Sequence, residues 1–271
     1  MAAKTGIPMV YDLADDLPAM VALSPSVPRL LRPLGSLLGN RLVRQTIRRS
    51  RMVTATTTAF QQQYQILQER FTHLPNGVDT TIFRPVPSTL REQLGLLNAF
   101  VLGYVGVLRE WVDFGPVFHA LRDLERAHLL LVGEEGGMSA MARLAKSLGV
   151  ENRVTFCGTV PHRKVPEYIA AMDACLIPFD RNRIAHSAVP LKLFEYMACG
   201  KPVISTRIRG VRETAGDRVL YADTSDELLH CIRRLDEGDW ESGSEGRSFV
   251  LAHHDWEPIA RRLERILEEV A

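Results

Sequence analysis

Lys192 and Glu195 stand three residues apart in the otherwise apolar first half of the stretch Pro190 to Thr206, reading PLKLFEYMACGKPVIST. On a helix that spacing places an ammonium and a carboxylate on one side, one turn apart. The N-terminus of a helix already attracts anions through its free N–H groups, so Lys192 in the first turn adds a cation where a diphosphate would sit. Glu195, one turn deeper, can accept hydrogen bonds from a sugar's vicinal hydroxyls, as an acidic residue does for ribose in dinucleotide sites. Arg109 offers a second, bidentate grip on an anion within Gly106 to Asp113, and Gly106 lets a ligand approach the backbone closely. Together these residues describe a pocket for a nucleoside diphosphate. Each also has a plainer reading: Arg109 as a solvated surface residue, Lys192 with Glu195 as a structural pair.

The elements that must position them can be read from the same pattern. Leu191, Phe194, Tyr196 and Met197 recur at helical spacing, Gly200 suits a left-handed helix end, and Pro202 followed by Val203-Ile204-Ser205-Thr206 reads as a buried strand. Strand-like runs are predicted at Val101 to Gly106, Leu129 to Gly133, Val154 to Gly158, Ala174 to Phe179, Pro202 to Thr206 and Val219 to Ala222, with helical patterns between them. Short apolar strands alternating with helices predict an α/β fold, a doubly wound parallel sheet, because each parallel return needs a crossover. Ligands of such sheets bind at the carboxyl ends of the strands, where the winding reverses. The loop after the first strand of this set, and that after the fourth, Pro178 to Pro190, therefore carry the interest.

The 271 residues suffice for one large or two modest domains. A net charge of +1 gives no nucleic-acid footprint. Cys157, Cys175, Cys199 and Cys231 are widely spaced in apolar stretches, which predicts reduced, packed thiols and a cytoplasmic chain. No run of eighteen apolar residues and no signal pattern is present. The histidines show no metal-ligand spacing, and neither a GxxxxGK loop, a GxGxxG after a strand nor a nucleophile elbow occurs. Earlier in the chain, strands are predicted over 6–12, 52–57 and 71–74 and a helix over 59–69. Between Val27 and Arg51 lie seven arginines, no acidic residue and a series of leucines. That basic amphipathic pattern is read first as a surface helix packing its leucines on a sheet, and second as a peripheral membrane contact. The domain expectation is 1–87, then 88–240 after a linker at Pro85 to Ser88, then helices over 241–271 that pack back toward the N-terminal part.

Five blocks, LPNGVDTTIFRP at 74–85, YVGVLREWVDF at 104–114, LLLVG at 129–133, VTFCGTVPHRKVPEYIAAMDACLIPF at 154–179 and PLKLFEYMACGKPVIST, together resemble glycosyltransferase family 4, of the GT-B fold. The resemblance implies a complete C-terminal Rossmann-like domain, a partial N-terminal α/β domain, and sugar transfer with retention from a UDP- or GDP-sugar to an acceptor, with no cofactor or metal. It implies phosphate contacts from Arg109 and Lys192, the ribose on Glu195, and donor contacts from Gly106, Ser187, Val189, Leu191, Gly158 and Arg163. The lysine that usually follows the loop arginine is absent from Trp111-Val112-Asp113, and the first glutamate of the glutamate, seven residues, glutamate motif is Ser187. The first domain is expected to lack its opening part. A dimer or a partner chain is then expected to complete it, and the alternative function is a split, non-catalytic donor-binding module.

Overall fold

The computed structural model describes residues 6–24, 26–109, 111–133, 138–180, 188–240 and 242–271. Contacts divide the chain into two compact units, Met1–Asn76 with Trp256–Ala271, and Gly77–Asp255. The division falls before the Pro85 to Ser88 stretch read as a linker. Val78 pairs with Asp255 and Phe83 is buried in the core of the second unit, so residues 77–85 pack as part of that unit.

The first unit has a three-stranded parallel sheet, β1 Val10–Leu13, β2 Met52–Ala55 and β3 Phe71–His73, in the order β1-β2-β3. Helices α1 Leu17–Leu23 and α2 Arg32–Arg49 make the first crossover, and α3 Ala59–Tyr64 the second. The helix predicted over 59–69 ends early because Gln65 takes a left-handed conformation, φ 53°. Gly35 and Gly39 of α2 form a bare groove for α1: a Cβ at Gly35 would lie 2.8 Å from the Val21 side chain. Leu13, Val43, Ile47, Val53, Phe60, Tyr64 and Phe71 form the core. The burial pattern corrects the expectation that the leucines of 27–51 pack on the sheet. Gly39, Val43 and Ile47, four residues apart, are the buried stripe of α2, whereas Leu30, Leu31, Leu34, Leu37, Leu38 and Leu42 are exposed.

The second unit has a six-stranded parallel sheet ordered β6-β5-β4-β7-β8-β9: β4 Phe100–Val105, β5 Ala127–Val132, β6 Val154–Phe156, β7 Ala174–Ile177, β8 Val203–Ser205 and β9 Leu220–Tyr221. These are the six predicted strands, with their ends displaced by one or two residues. Residues 100–105, 129–132 and 174–177 are all buried, the continuous apolar run expected of a sheet covered on both faces. Helices α4 Leu90–Gln93, α5 Gly115–Asp123, α6 Met138–Ser147, α7 Val165–Ala170, α8 Leu191–Ala198, α9 Arg209–Ala215, α10 Ser225–Asp236 and α11 Ser242–His253 link and follow the strands. The chain winds outward from β4 to β6, then returns to lay β7 on the other side of β4, so the winding reverses between β4 and β7. The last helix, α12 Trp256–Val270, belongs to the first unit and buries Ile259, Ile266 and Val270.

Close packing holds the central strand in place. A Cβ at Gly103 would fall 1.9 Å from the Met172 sulfur, so the sheet admits no side chain there. At the start of β4, Asp173 takes the Arg91 guanidinium at 2.9 and 3.0 Å and the Val101 amide at 2.7 Å. At its end, the Val105 amide donates to the Tyr196 hydroxyl at 2.8 Å, both buried, which ties α8 to the carboxyl edge of β4. Among the described residues no helix is long and apolar enough to cross a membrane. Replacing Tyr196→Phe leaves a buried amide without its partner and is expected to lower the unfolding free energy by ~1–3 kcal/mol in urea titrations. An unchanged stability would show that the bond does not hold α8 on β4.

Candidate functional site

Three glycines end the adjacent strands β4, β5 and β6 in conformations that favour glycine: Gly106 at φ 133°, Gly133 at φ 149° and Gly158 at φ 67°. They are knit together, the Gly106 amide donating to the Val132 carbonyl at 2.8 Å and the Gly133 amide to the Gly158 carbonyl at 2.9 Å. A Cβ at Gly133 would sit 2.1 Å from the Gly106 carbonyl oxygen. The carboxyl edge of the sheet is therefore a floor of bare backbone, open to close approach by a ligand.

The two loops flanking the reversal meet beside this floor. Asp113 donates its amide to the Pro178 carbonyl at 2.8 Å, Asp180 to that of Trp111 at 2.7 Å, and Val112 bridges Phe179 antiparallel. Thr206 at the end of β8 donates its hydroxyl to the Phe179 carbonyl at 2.7 Å. This is the crevice where open parallel sheets bind ligands.

Helix α8 delivers two charges to it. Leu193, Phe194, Tyr196, Met197 and Ala198 are buried, Phe194 stacks on the His254 ring at 4.1 Å, and the Arg247 guanidinium donates to the Ala198 carbonyl. With that face fixed, Lys192 and Glu195 have no freedom to turn elsewhere. The Lys192 ammonium lies over the Tyr104 ring, 3.6 Å from its centroid, 5.7 Å from that of Phe179, and 2.8 Å from where a Cβ on Gly106 would stand. Among the described residues it makes no hydrogen bond or ion pair. Aromatic faces replace water around it, and this desolvation lowers its pKa to about 7, partly offset by Glu195.

The Glu195 carboxylate is one-fifth exposed and 3.9 Å from the His162 imidazole. Burial pushes its carboxyl above the usual carboxylate range, while His162 and Lys192 pull it back. The His162 ring in turn meets the edge of Phe83 at 5.1 Å. Asp79, whose carboxyl is held low mainly by the Thr81 hydroxyl, also feels the His162 charge. A cation, a carboxylate and a bare floor thus converge on one crevice, suited to phosphate above the glycines and hydroxyls at the carboxylate.

The structure brings Gly106, Lys192 and Glu195 of the expected set together, with Gly158 at the edge of the same floor. Arg109 is exposed on the loop after β4, close enough for its charge to act on the Tyr104 hydroxyl, and has no side-chain partner among the described residues. Val189 is half-buried and packs on the core, Leu191 is exposed in the first turn of α8, and Arg163 faces solvent in the turn His162–Lys164. Ser187 lies outside the described residues. Two participants went unrecognised from sequence: Gly133, seen only as the end of LLLVG, and Tyr104, seen only as a strand residue. Among the described residues no group of three His, Cys, Asp or Glu could hold a metal ion. Cys157, Cys175, Cys199 and Cys231 are free thiols.

The depressed pKa of Lys192 sets the sign of its effect on stability. Between about 7 and the ordinary 10.5 the unfolded chain holds a proton that the folded chain has released. Unfolding free energy should therefore rise with pH across that window, and the cost of the buried ammonium is fully present below it. Lys192→Met is expected to be more stable than the parent at pH 6, the gap shrinking by about 1.4 kcal/mol per pH unit above about 7. Denaturant unfolding at several pH values reads this directly, and a gap that does not change with pH would mean the ammonium is solvated.

A family model described as glycosyl transferases group 1 matches residues 99–237. The chain is 30% identical over 216 residues to a GDP-mannose-dependent alpha-(1-6)-phosphatidylinositol monomannoside mannosyltransferase of Mycolicibacterium smegmatis, covering 72% of this chain and 55% of that protein. It is 30% identical over 215 residues to a D-inositol 3-phosphate glycosyltransferase of Frankia alni, covering 68% and 49%. The chain spans about half the length of the curated relatives it matches. Anabaena Alr3699/HepE, solved in complex with UDP-glucose, shares the fold at a TM-score of 0.78 and 23% identity, over 99% of this chain and 74% of that one. The matched segment takes in β4 to α10, including both crevice loops and the whole of α8, and the chain belongs to the glycosyl transferases group 1 family.

Proposed function

We propose that the chain is a glycosyltransferase that moves a sugar from a nucleoside-diphosphate sugar to an acceptor, with retention at the anomeric carbon. The observation that carries this reading is the Lys192 ammonium, desolvated above Gly106 and without a hydrogen-bonding or ionic partner among the described residues. Such a charge is costly unless an anion reaches it. In the reaction the bond between the anomeric carbon and the diphosphate oxygen breaks, and negative charge grows on the departing diphosphate. Lys192, Arg109 and the N-terminus of α8, where Pro190 provides no side-chain cap, stabilise that charge. These side chains neutralise the leaving group without a metal. Glu195 receives the ribose hydroxyls, and Gly106, Gly133 and Gly158 let the diphosphate lie on the sheet edge. Val189, Leu191 and Arg163 lie on the donor side, and the family resemblance implies a further donor contact from Ser187.

The mycobacterial relative is named for GDP-mannose and the Anabaena structure holds UDP-glucose, so both bases belong in the test. Calorimetry with UDP, GDP and ADP should show binding of at least one. Its affinity is expected to fall about tenfold per pH unit above about 7, as Lys192 loses its proton. Lys192→Met should bind more weakly at pH 6.5 with a flat profile above it. A flat profile in the parent would remove the lysine from the site. Glu195→Ala should cost ~1–3 kcal/mol of nucleotide affinity if it holds ribose. Hydrolysis of a nucleotide-sugar panel then separates a transferase from a nucleotide binder.

A further inference from the structure

Glu195 and His162 face one another across a gap that neither closes. The imidazole Nε2 stands 3.9 Å from the Glu195 Oε1, within reach of an ion pair when the ring is charged but beyond hydrogen-bond length. Among the described residues neither side chain makes a hydrogen bond. Yet only one-fifth of the Glu195 side chain is exposed, and burial raises its pKa. A largely buried acceptor with no donor is costly, so a donor from outside the chain is expected here.

Both groups are held in place. Glu195 rides on α8, whose other face is packed in the core. The turn His162–Lys164 is closed by the Lys164 amide, which donates to the Pro161 carbonyl at 2.8 Å, and Val165 beyond it is buried. The His162 ring rests on Phe83, which is itself fully buried, with the two planes at 67°. Asp79 is a second carboxylate near this ring, but it is already engaged. It accepts from the Thr81 amide at 2.9 Å, the Thr81 hydroxyl at 2.6 Å and the Ile82 amide at 3.3 Å. Glu195 is therefore the free acceptor beside the imidazole. One oxygen atom can lie about 2.8 Å from both Nε2 and Oε1 when these are 3.9 Å apart. It must donate to the carboxylate and accept from the ring N–H, which a hydroxyl does and a phosphate or carbonyl oxygen, having no proton, does not.

We propose that His162 is a specificity-determining residue of the donor site: one ribose hydroxyl donates to Glu195 and accepts from His162, while its vicinal neighbour donates to Glu195 alone. This rests on the reading of Glu195 as the ribose acceptor and adds an asymmetry to it, because a single hydroxyl of the pair reaches the imidazole.

Calorimetry of the full chain with UDP and GDP, each alongside its 2′-deoxy and 3′-deoxy forms, reads that asymmetry. For the nucleotide that binds, His162→Ala should weaken the ribose form and one deoxy form by roughly three- to tenfold. The other deoxy form should bind the variant and the parent equally, because the bond to be lost is already absent from it. His162→Gln, which keeps an N–H donor, should recover much of the loss. Thermal unfolding of both variants should match the parent, since the His162 side chain is 66% exposed. Equal weakening of all three forms would overturn the proposal, leaving His162 a residue that only steadies the carboxylate or its own turn. So would no weakening of any form, or a glutamine variant as weak as the alanine one. A parent that binds both deoxy forms as tightly as the ribose form would instead remove the ribose from Glu195, and the proposal with it. A parent that binds no nucleotide would remove the donor site as a whole.

Discussion

The arrangement at the crevice depends on one unfavourable placement, an ammonium held over an aromatic ring and a glycine backbone with no ion-pair partner among the described residues. The surroundings of Lys192 read as the means of sustaining it. Tyr104 supplies the ring and is itself buried at the end of β4, its hydroxyl donating to the Val107 carbonyl at 3.0 Å. Gly106 supplies the space. Tyr196, one turn beyond Lys192, locks α8 onto Val105, so the lysine cannot retreat to water by a shift of its helix. The reversal of winding between β4 and β7 opens the crevice, and hydrogen bonds between the two loops, Asp113 to Pro178 and Asp180 to Trp111, define its sides. Stability given up here is regained in a core with little tolerance, as the contact of Gly103 with Met172 illustrates.

A sheet edge made of glycines has a simple chemical consequence. Backbone amides and carbonyls are presented without side chains, so a ligand's phosphates can lie against the strand ends. Gly133 shows how tightly this is set, since a single methyl there would enter the Gly106 carbonyl. The carboxylate of Glu195, lifted toward neutrality by burial and drawn back by His162 and Lys192, remains an acceptor available to hydroxyls one turn along the helix.

Much of this is legible in the chain itself. The six strands of the second unit are visible as apolar runs between helical patterns, and Lys192, Glu195 and Gly106 stand out because charge in a greasy helix and glycine after a strand each need a reason. What the sequence hides is relation across distance. Tyr104 reads as one more strand residue until its ring is found under a lysine eighty-eight positions away, and His162 gains meaning only beside Glu195. The boundary at Asn76 and Gly77 is missed because the prolines after it look like a linker, while the burial of Phe83 is invisible locally. The leucines of α2 are expected inward because leucine usually is. The glycine and β-branched stripe of Gly39, Val43 and Ile47 packs against the sheet and α1 more closely, leaving the leucines outside.

The proposed donor binding at this crevice makes the charge state of Lys192 its controlling variable. Isotope-labelled NMR of the Lys192 ε-methylene, titrated with and without the nucleoside diphosphate that binds, observes it without reference to activity. A midpoint near 7 in the free chain, moving up once the diphosphate is bound, is the predicted result. A midpoint at the ordinary lysine value of 10.5, unmoved by nucleotide, would contradict it.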